Sequence, residues 1–205
     1  MDKIKKEITQ ATADHVRQLC QKDSSGHDWW HIDRVRRAAL TIAKEEGADG
    51  FICEMAALLH DVADRKFNAS LSAGLDKVEA WLDSQQIDEK HKSHILEIIA
   101  TISFTSQQEG KQVPSLEGQV VQDADRLDAL GAIGIARTMA YSGHTGRLIY
   151  QPETDQETAI QHFYDKLLIL KNLMNTSYGK RLAEERHRFM EVYLDQFYAE
   201  WAGNR

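Results

Sequence analysis

Apolar residues recur at helical spacing along nearly the whole chain. Ile4, Ile8, Val16, Leu19 and Cys20 mark a first amphipathic helix, and Ile32, Val35, Ala39 and Ile42 repeat at three- and four-residue steps to mark a second, which begins within SSGHDWW. A third starts at Asp49 or Gly50 and runs through FICEMAALLHDVAD, apolar enough all round to predict burial on every side. Beyond the loop RKFNAS, Leu75, Val78, Trp81 and Leu82 predict a fourth helix, and Ile95, Ile98, Ile99 and Ile102 a fifth. Gly110 and Pro114 punctuate a polar run, so 107–114 reads as a loop, followed by a helix through VVQDADRLDAL. Gly131 and Gly134 predict a close approach or a short break, and the next helix extends to Tyr141. Residues 142–156, SGHTGRLIYQPETDQ, form the longest irregular stretch, a kind of segment that often carries function, with Arg147 as a candidate lid contact. Two long helices close the chain, one through Phe163, Leu167, Leu168, Leu170 and Leu173, the other through Phe189, Val192, Tyr193 and Phe197. With no strand-like alternation, repeat or linker, the expected fold is all-α. It is read as a single domain over 1–205, a helical bundle with its core at about 20–140 and a C-terminal helical extension at about 155–200.

Composition sharpens this picture in three ways. The chain of 205 residues is long enough for a sizeable core, and its two prolines favour uninterrupted helices. No apolar run approaches the length of a membrane span, and MDKIKKEITQ lacks the apolar centre of a secretion signal, so a soluble, cytoplasmic protein without a membrane partner is expected. A net charge of −7 argues against a nucleic-acid polymer as partner, but a small phosphorylated ligand needs only a locally positive pocket, which a bound metal ion supplies. Cys20 and Cys53 form no C-x-x-C pair and sit among apolar neighbours, as buried thiols of a reducing compartment do. The apolar stripe on the C-terminal helices leaves room for a homodimer.

The chemistry lies where histidine and carboxylate interrupt apolar runs. His60 and Asp61 follow MAALL directly, where two polar groups in a poorly solvated place need hydrogen bonds or a cation. Asp125 lies at the edge of the apolar face formed by Val120, Val121, Ala124 and Leu127, and His31 flanks the Ile32 and Val35 stripe. His31, His60, Asp61 and Asp125 therefore form the expected metal-ligand set, brought in from separate helices as a bundle site requires. Two imidazoles and two carboxylates suit one borderline divalent ion, Mn²⁺ first, with Ni²⁺, Co²⁺, Fe²⁺, Zn²⁺ or Mg²⁺ as alternatives. Four protein ligands on an octahedral ion leave positions for water and a substrate oxygen.

The order His31, then His60-Asp61, then Asp125 resembles the HD-domain superfamily of metal-dependent phosphohydrolases. The longer strings GHDWWHIDRV, LLHDVADRKF, VVQDADRLDALGAIGIAR and YSGHTGR are similar to those of one bacterial subgroup, over residues 20–190. That resemblance implies an enzyme hydrolysing small nucleotides, specifically a (deoxy)nucleoside triphosphate pyrophosphatase that yields monophosphate and pyrophosphate. Related chains carry a histidine before the Ser-Phe of the fifth core helix, whereas Ile102 precedes Ser103 and Phe104 here, which implies a single-metal site.

Around these ligands, Asp64 follows Asp61 by three residues and His60 by four, and shares their face if the helix continues. It is the candidate to orient or deprotonate the attacking water, against the alternative of an Asp that ends the helix. Lys66, the better match to the family string than Arg65, is a candidate for catalysis and for phosphate binding, against a solvated loop charge. His27, four residues before His31, and Arg34, three after it, are the other substrate-binding candidates, against a solvated helix start and a surface ion pair. Arg126 and Asp128 are read as structural, Asp123 faces away from Asp125, and Trp29 and Trp30 are read as core aromatics with base stacking as the alternative. His15, His91, His94, His162 and His187 are expected on solvated faces. Rival functions on the same residues are a 5′-nucleotidase, a cyclic-nucleotide phosphodiesterase, or a metal- and nucleotide-binding regulator without turnover.

Overall fold

The computed structural model describes residues 3–20, 28–64, 68–102, 113–152 and 157–204. Among them are nine α-helices, one 3₁₀ segment and no strand. They divide into two compact units, residues 1–125 and 126–205.

In the first unit, α1 (Lys3–Leu19), α2 (Trp29–Glu46), α3 (Gly50–Leu59), α4 (Leu71–Ser84) and α5 (Glu89–Thr101) precede most of α6 (Leu116–Asp128). The starts are set by side chains that accept otherwise unpaired backbone N–H groups: Asp28 caps α2, Asp49 caps α3, Ser70 caps α4 and Asp88 caps α5. Gly47, at φ 75°, ends α2 in the left-handed conformation, its N–H returning to the Ala43 carbonyl. Every residue of α3 from Phe51 to Leu59 is buried, because α1, α2 and α5 all lie against it, and α4 covers α5 in turn. The start of α6 is tied to this unit by polar contacts. The Asp49 N–H donates to Glu117 Oε1 at 3.0 Å, and Gln122 Nε2 donates to the Ile102 carbonyl at 3.0 Å.

The third helix is shorter than its apolar pattern predicts. It stops at Leu59, and residues 60–63 form turns in which the Val62 N–H donates to the Leu59 carbonyl and the Asp64 N–H to the Asp61 carbonyl. Asn68 explains the stop: its Nδ2 donates to the carbonyls of Val62 and Asp64, at 2.8 and 2.9 Å, and takes acceptors that a continuing helix needs. Backbone-to-backbone packing presses on the same turn. A Cβ added to Gly74 of α4 would stand 2.5 Å from the Ala63 carbonyl oxygen, a separation only glycine permits.

The second unit holds the end of α6, α7 (Gly131–Thr145), α8 (Ala159–Asp165), a 3₁₀ segment (Leu167–Leu173) and α9 (Ser177–Trp201). Helix α7 runs four residues past the expected end at Tyr141, through Ser142 and Gly143. The chain leaves the helix at Gly146, whose φ of 72° is the left-handed stop. The expected helix through Phe163 and Leu173 is instead broken at Lys166. Leu167, Leu170 and Leu173 recur every three residues, which is the period of the 3₁₀ segment found there. Arg126 donates to the Leu173 carbonyl, Arg186 to the Leu127 carbonyl, and Arg137 Nη1 to Asp128 Oδ2 at 2.9 Å, so Arg126 and Asp128 are the structural residues expected. Arg147 pairs with Glu157 at 2.7 Å. His187 is buried rather than solvated, because it shares a face of α9 with Ala183, Met190 and Leu194, and its Nε2 lies 3.2 Å from Glu191 Oε1. Cys53 is buried, which raises its thiol pKa well above the ordinary value, and Cys20 is half-buried; neither forms a disulfide.

Candidate metal centre

Three elements of the first unit converge on one point. His31 is the third residue of α2, where its N–H donates to the capping Asp28 carboxylate at 2.8 Å. His60 and Asp61 sit in the turn that follows α3, and Asp125 near the end of α6. His31 Nε2 lies 3.5 Å from Asp61 Oδ2 and 3.5 Å from Asp125 Oδ1. His60 Nε2 lies 3.3 Å from Asp61 Oδ1 and 3.9 Å from Asp125 Oδ1. The two rings meet edge to face, with centroids 5.4 Å apart. One donor atom from each of His31, His60 and Asp125 falls within 4.8 Å of the others, a spacing a single cation can bridge. Asp61 reaches both histidines, one with each carboxylate oxygen.

Burial makes this arrangement expensive without a positive charge. The side chains of His31, His60 and Asp61 are 1%, 6% and 9% exposed, whereas Asp125 is 41% exposed and marks the open side. Two carboxylates this close repel each other in a poorly solvated place. The ring of His60 is oriented for donation, because its Nδ1–H donates to the Ala57 carbonyl at 2.7 Å and leaves Nε2 toward the acids. Among the described residues that Nε2 is buried with no hydrogen-bond partner. The pKa of His60 reports the same field. Burial works against its charged form, but Asp61, Asp125, the bond to Ala57 and Asp64 outweigh it and raise the value above 6.5. A proton is the lesser way to satisfy this site. A divalent ion meets both buried imidazole nitrogens and both carboxylates at once, so the donor set fits the metal.

The other candidates fall into three groups. Asp64 is half-buried and close enough to act on the charge of His60, although the helical continuation that placed it beside His60 and Asp61 is replaced by the turn. Arg34 is half-buried on α2, one turn on from His31. His27, Arg65, Lys66, Ser103 and Phe104 lie outside the described residues. Asp123 is fully buried and stays apart from the donor set. The aromatic pair divides: Trp29 is half-buried, but Trp30 is 56% exposed. Helix geometry explains it, since Trp30 stands about 200° round the axis from Ile32 on the buried face. Sequence reasoning missed Asn68 and Gly74, which shape the His60–Asp61 turn. The polarity of RKFNAS hinted at a turn-closing side chain, and nothing local marked Gly74.

Comparison with known proteins places these residues in context. The model of the HD domain family matches residues 29–130, which include all four expected ligands. YpgQ of Bacillus subtilis strain 168 is 41% identical over 182 residues, covering 88% of this chain and 87% of the relative. Among solved structures, an HD-superfamily hydrolase from Bacillus thuringiensis is 48% identical with a TM-score of 0.83, over 97% of this chain and 98% of the other. Bacillus subtilis YpgQ in complex with ADP is 41% identical with a TM-score of 0.79, over 94% of this chain and all of that one.

Proposed function

This chain belongs to the HD-domain superfamily, and from that premise we propose that it is a metal-dependent hydrolase of small nucleotides, a (deoxy)nucleoside triphosphate pyrophosphatase. The observation that carries the reading is the convergence of His31, His60 and Asp125, with Asp61 against both rings. The ADP held by YpgQ supports a nucleotide as the ligand class.

In this reading His31, His60, Asp61 and Asp125 hold one divalent ion, Mn²⁺ first. When bound, the ion supplies a Lewis acid for a phosphoryl oxygen and lowers the pKa of water. Ala57 fixes the ring of His60 through Nδ1, so the nitrogen facing the acids is the one free to donate. Asp125, on the open side, is where substrate meets the centre. Asp64 accepts the proton of the attacking water, and Arg34 takes phosphate oxygens, with His27 and Lys66 as further phosphate ligands. Attack at the α-phosphorus breaks the α–β anhydride bond and releases monophosphate and pyrophosphate.

The test incubates metal-stripped protein with Mn²⁺ and nucleoside mono-, di- and triphosphates plus cyclic nucleotides, and separates the products. A His60→Ala, Asp61→Ala double variant run beside it reports contaminating activity. Monophosphate with pyrophosphate, lost in the double variant, is the expected result. Orthophosphate from monophosphates would replace this reading with a nucleotidase. No turnover despite stoichiometric metal would replace it with a binding regulator.

A further inference from the structure

Trp30 is costly to leave in water. An indole carries one of the largest apolar surfaces of any side chain, and here more than half of it is solvent-accessible, although α2 has a well-formed buried face elsewhere. Among the described residues of the first unit, the large exposed hydrophobics are Ile4, Leu19, Trp30 and Leu116, so Trp30 is the aromatic one. It is also the chain neighbour of His31. On α2 the two side chains stand about 100° apart, and Arg34 falls between them, about 40° from Trp30 and 60° from His31. Metal-ligating imidazole, guanidinium and exposed indole thus follow one another around a single helix. The ring is held from the other helix as well: the Arg17 guanidinium of α1 lies 6.0 Å from the Trp30 ring centroid and the same distance from that of Trp29.

We infer that Trp30, steadied by Arg17, is the stacking platform for the base of the nucleotide whose phosphates meet the metal centre. The inference rests on the nucleotide reading above and adds a specificity-determining residue to it. The geometry follows the order of groups in the substrate. A nucleoside triphosphate cleaved at its α-phosphate carries its base one sugar away from the scissile centre, so a base-reading group belongs beside the metal ligands. Base–aromatic stacking tolerates every base, because each presents a π-face, and an adjacent guanidinium strengthens the stack. Trp30 therefore selects nucleotides over inorganic polyphosphates while discriminating weakly between bases.

Titration of the full-length protein with ADP and, separately, with inorganic pyrophosphate tests this, because both ligands carry a diphosphate and only one carries a base. Trp30→Ala is expected to weaken ADP about tenfold, within the range that removal of a stacking aromatic produces, and to leave pyrophosphate unchanged. Trp30→Leu keeps apolar bulk against α1 without a π-face and is expected to match the alanine variant. Trp30→Phe is expected to retain most of the affinity for ADP. Kinetics give the same split, with KM rising for dATP and not for tripolyphosphate. Equal weakening of both ligands, or unchanged ADP binding in the alanine and leucine variants, would overturn the stacking role while leaving the nucleotide reading in place. Failure of the unsubstituted protein to bind ADP, with pyrophosphate still bound, would overturn both.

Discussion

Gly74→Ala should damage the metal centre more than the fold. The added Cβ would stand 2.5 Å from the Ala63 oxygen, 2.6 Å from its Cα and 2.8 Å from its carbonyl carbon, where ordinary contact begins at 3.4 Å. All three are backbone atoms, so no rotamer relieves the clash, and α4 or the 60–64 turn must retreat by nearly 1 Å. Overpacking of this kind costs about 1–3 kcal/mol. Alanine also favours the helix over glycine by about 1 kcal/mol, so the net loss of stability is only about 0–2 kcal/mol. The function should suffer further, since Ala63 follows Asp61 by two residues and His60 by three, and an error of ~1 Å in a reacting geometry costs about 100-fold. Gly50→Ala is the matched control, because its Cβ would meet only Leu40 Cδ2 at an ordinary 3.8 Å. The assay is thermal unfolding with and without Mn²⁺, in which the metal-induced rise in Tm reports affinity for the folded state. Gly74→Ala should lose most of that rise, and Gly50→Ala should keep it. An undiminished Mn²⁺-induced rise in Gly74→Ala would refute the reasoning, since the turn would then have kept its place.

Arg36→Met should destabilise the protein by roughly 3 kcal/mol in urea unfolding, at the low end for breaking a buried pair because Arg37 still holds Asp33. It leaves buried Glu54 without the partner 2.8 Å away that ties α2 to α3. The same network sets an acid limit. Burial alone would raise the pKa of Asp33, but its bonds to Arg37 and Arg36 dominate and hold it below 3.8, so its contribution is present above 3.8 and lost as pH falls toward the depressed value. Asp33→Asn should flatten that acid limb in urea titrations. His60 gives the opposite slope in metal-free protein. Burial resists its charge, the carboxylates overcome this, and the raised pKa means a stabilisation present below 6.5 and lost as pH rises through the raised value. Chelated protein should therefore lose stability as pH rises above 6.5, while Mn²⁺ affinity grows over the same interval as the competing proton leaves. Parallel pH profiles with EDTA and with Mn²⁺ would contradict that competition.

The readability of this chain divides along a physical line. Helix existence was legible, and so were the polar residues that converge at the candidate centre, because both are written locally. Apolar residues at three- and four-residue steps exposed α1 to α6, and a histidine–aspartate pair set directly behind Leu58 and Leu59 announced a polar group that burial must compensate. The errors begin where a contact skips along the chain. The end of α3 depends on Asn68 reaching back four and six residues to two carbonyls, so the helical pattern through Asp64 was genuine and was overruled. The break at Lys166 was legible in part, since Leu167, Leu170 and Leu173 keep a period of three, but Leu168 in their midst also permitted a helix.

Exposure was the other weak point, and its failures carry more information. Trp30 and His187 were each assigned to the usual place for their residue type, and each is found in the other: the indole in solvent, the imidazole buried at 5% exposure. For His187 the face shared with Ala183, Met190 and Leu194 was visible in the sequence and outweighs the residue's polarity. For Trp30 the same rule predicts exposure, since it stands opposite the stripe of Ile32, Val35 and Ala39. Helical position was therefore the better guide in both cases, and residue type the worse. A side chain that follows its helical position against its own hydrophobicity leaves a cost that packing does not recover. At Trp30 that cost falls on the residue next to His31 of the candidate metal centre, where the stacking proposed above would recover it.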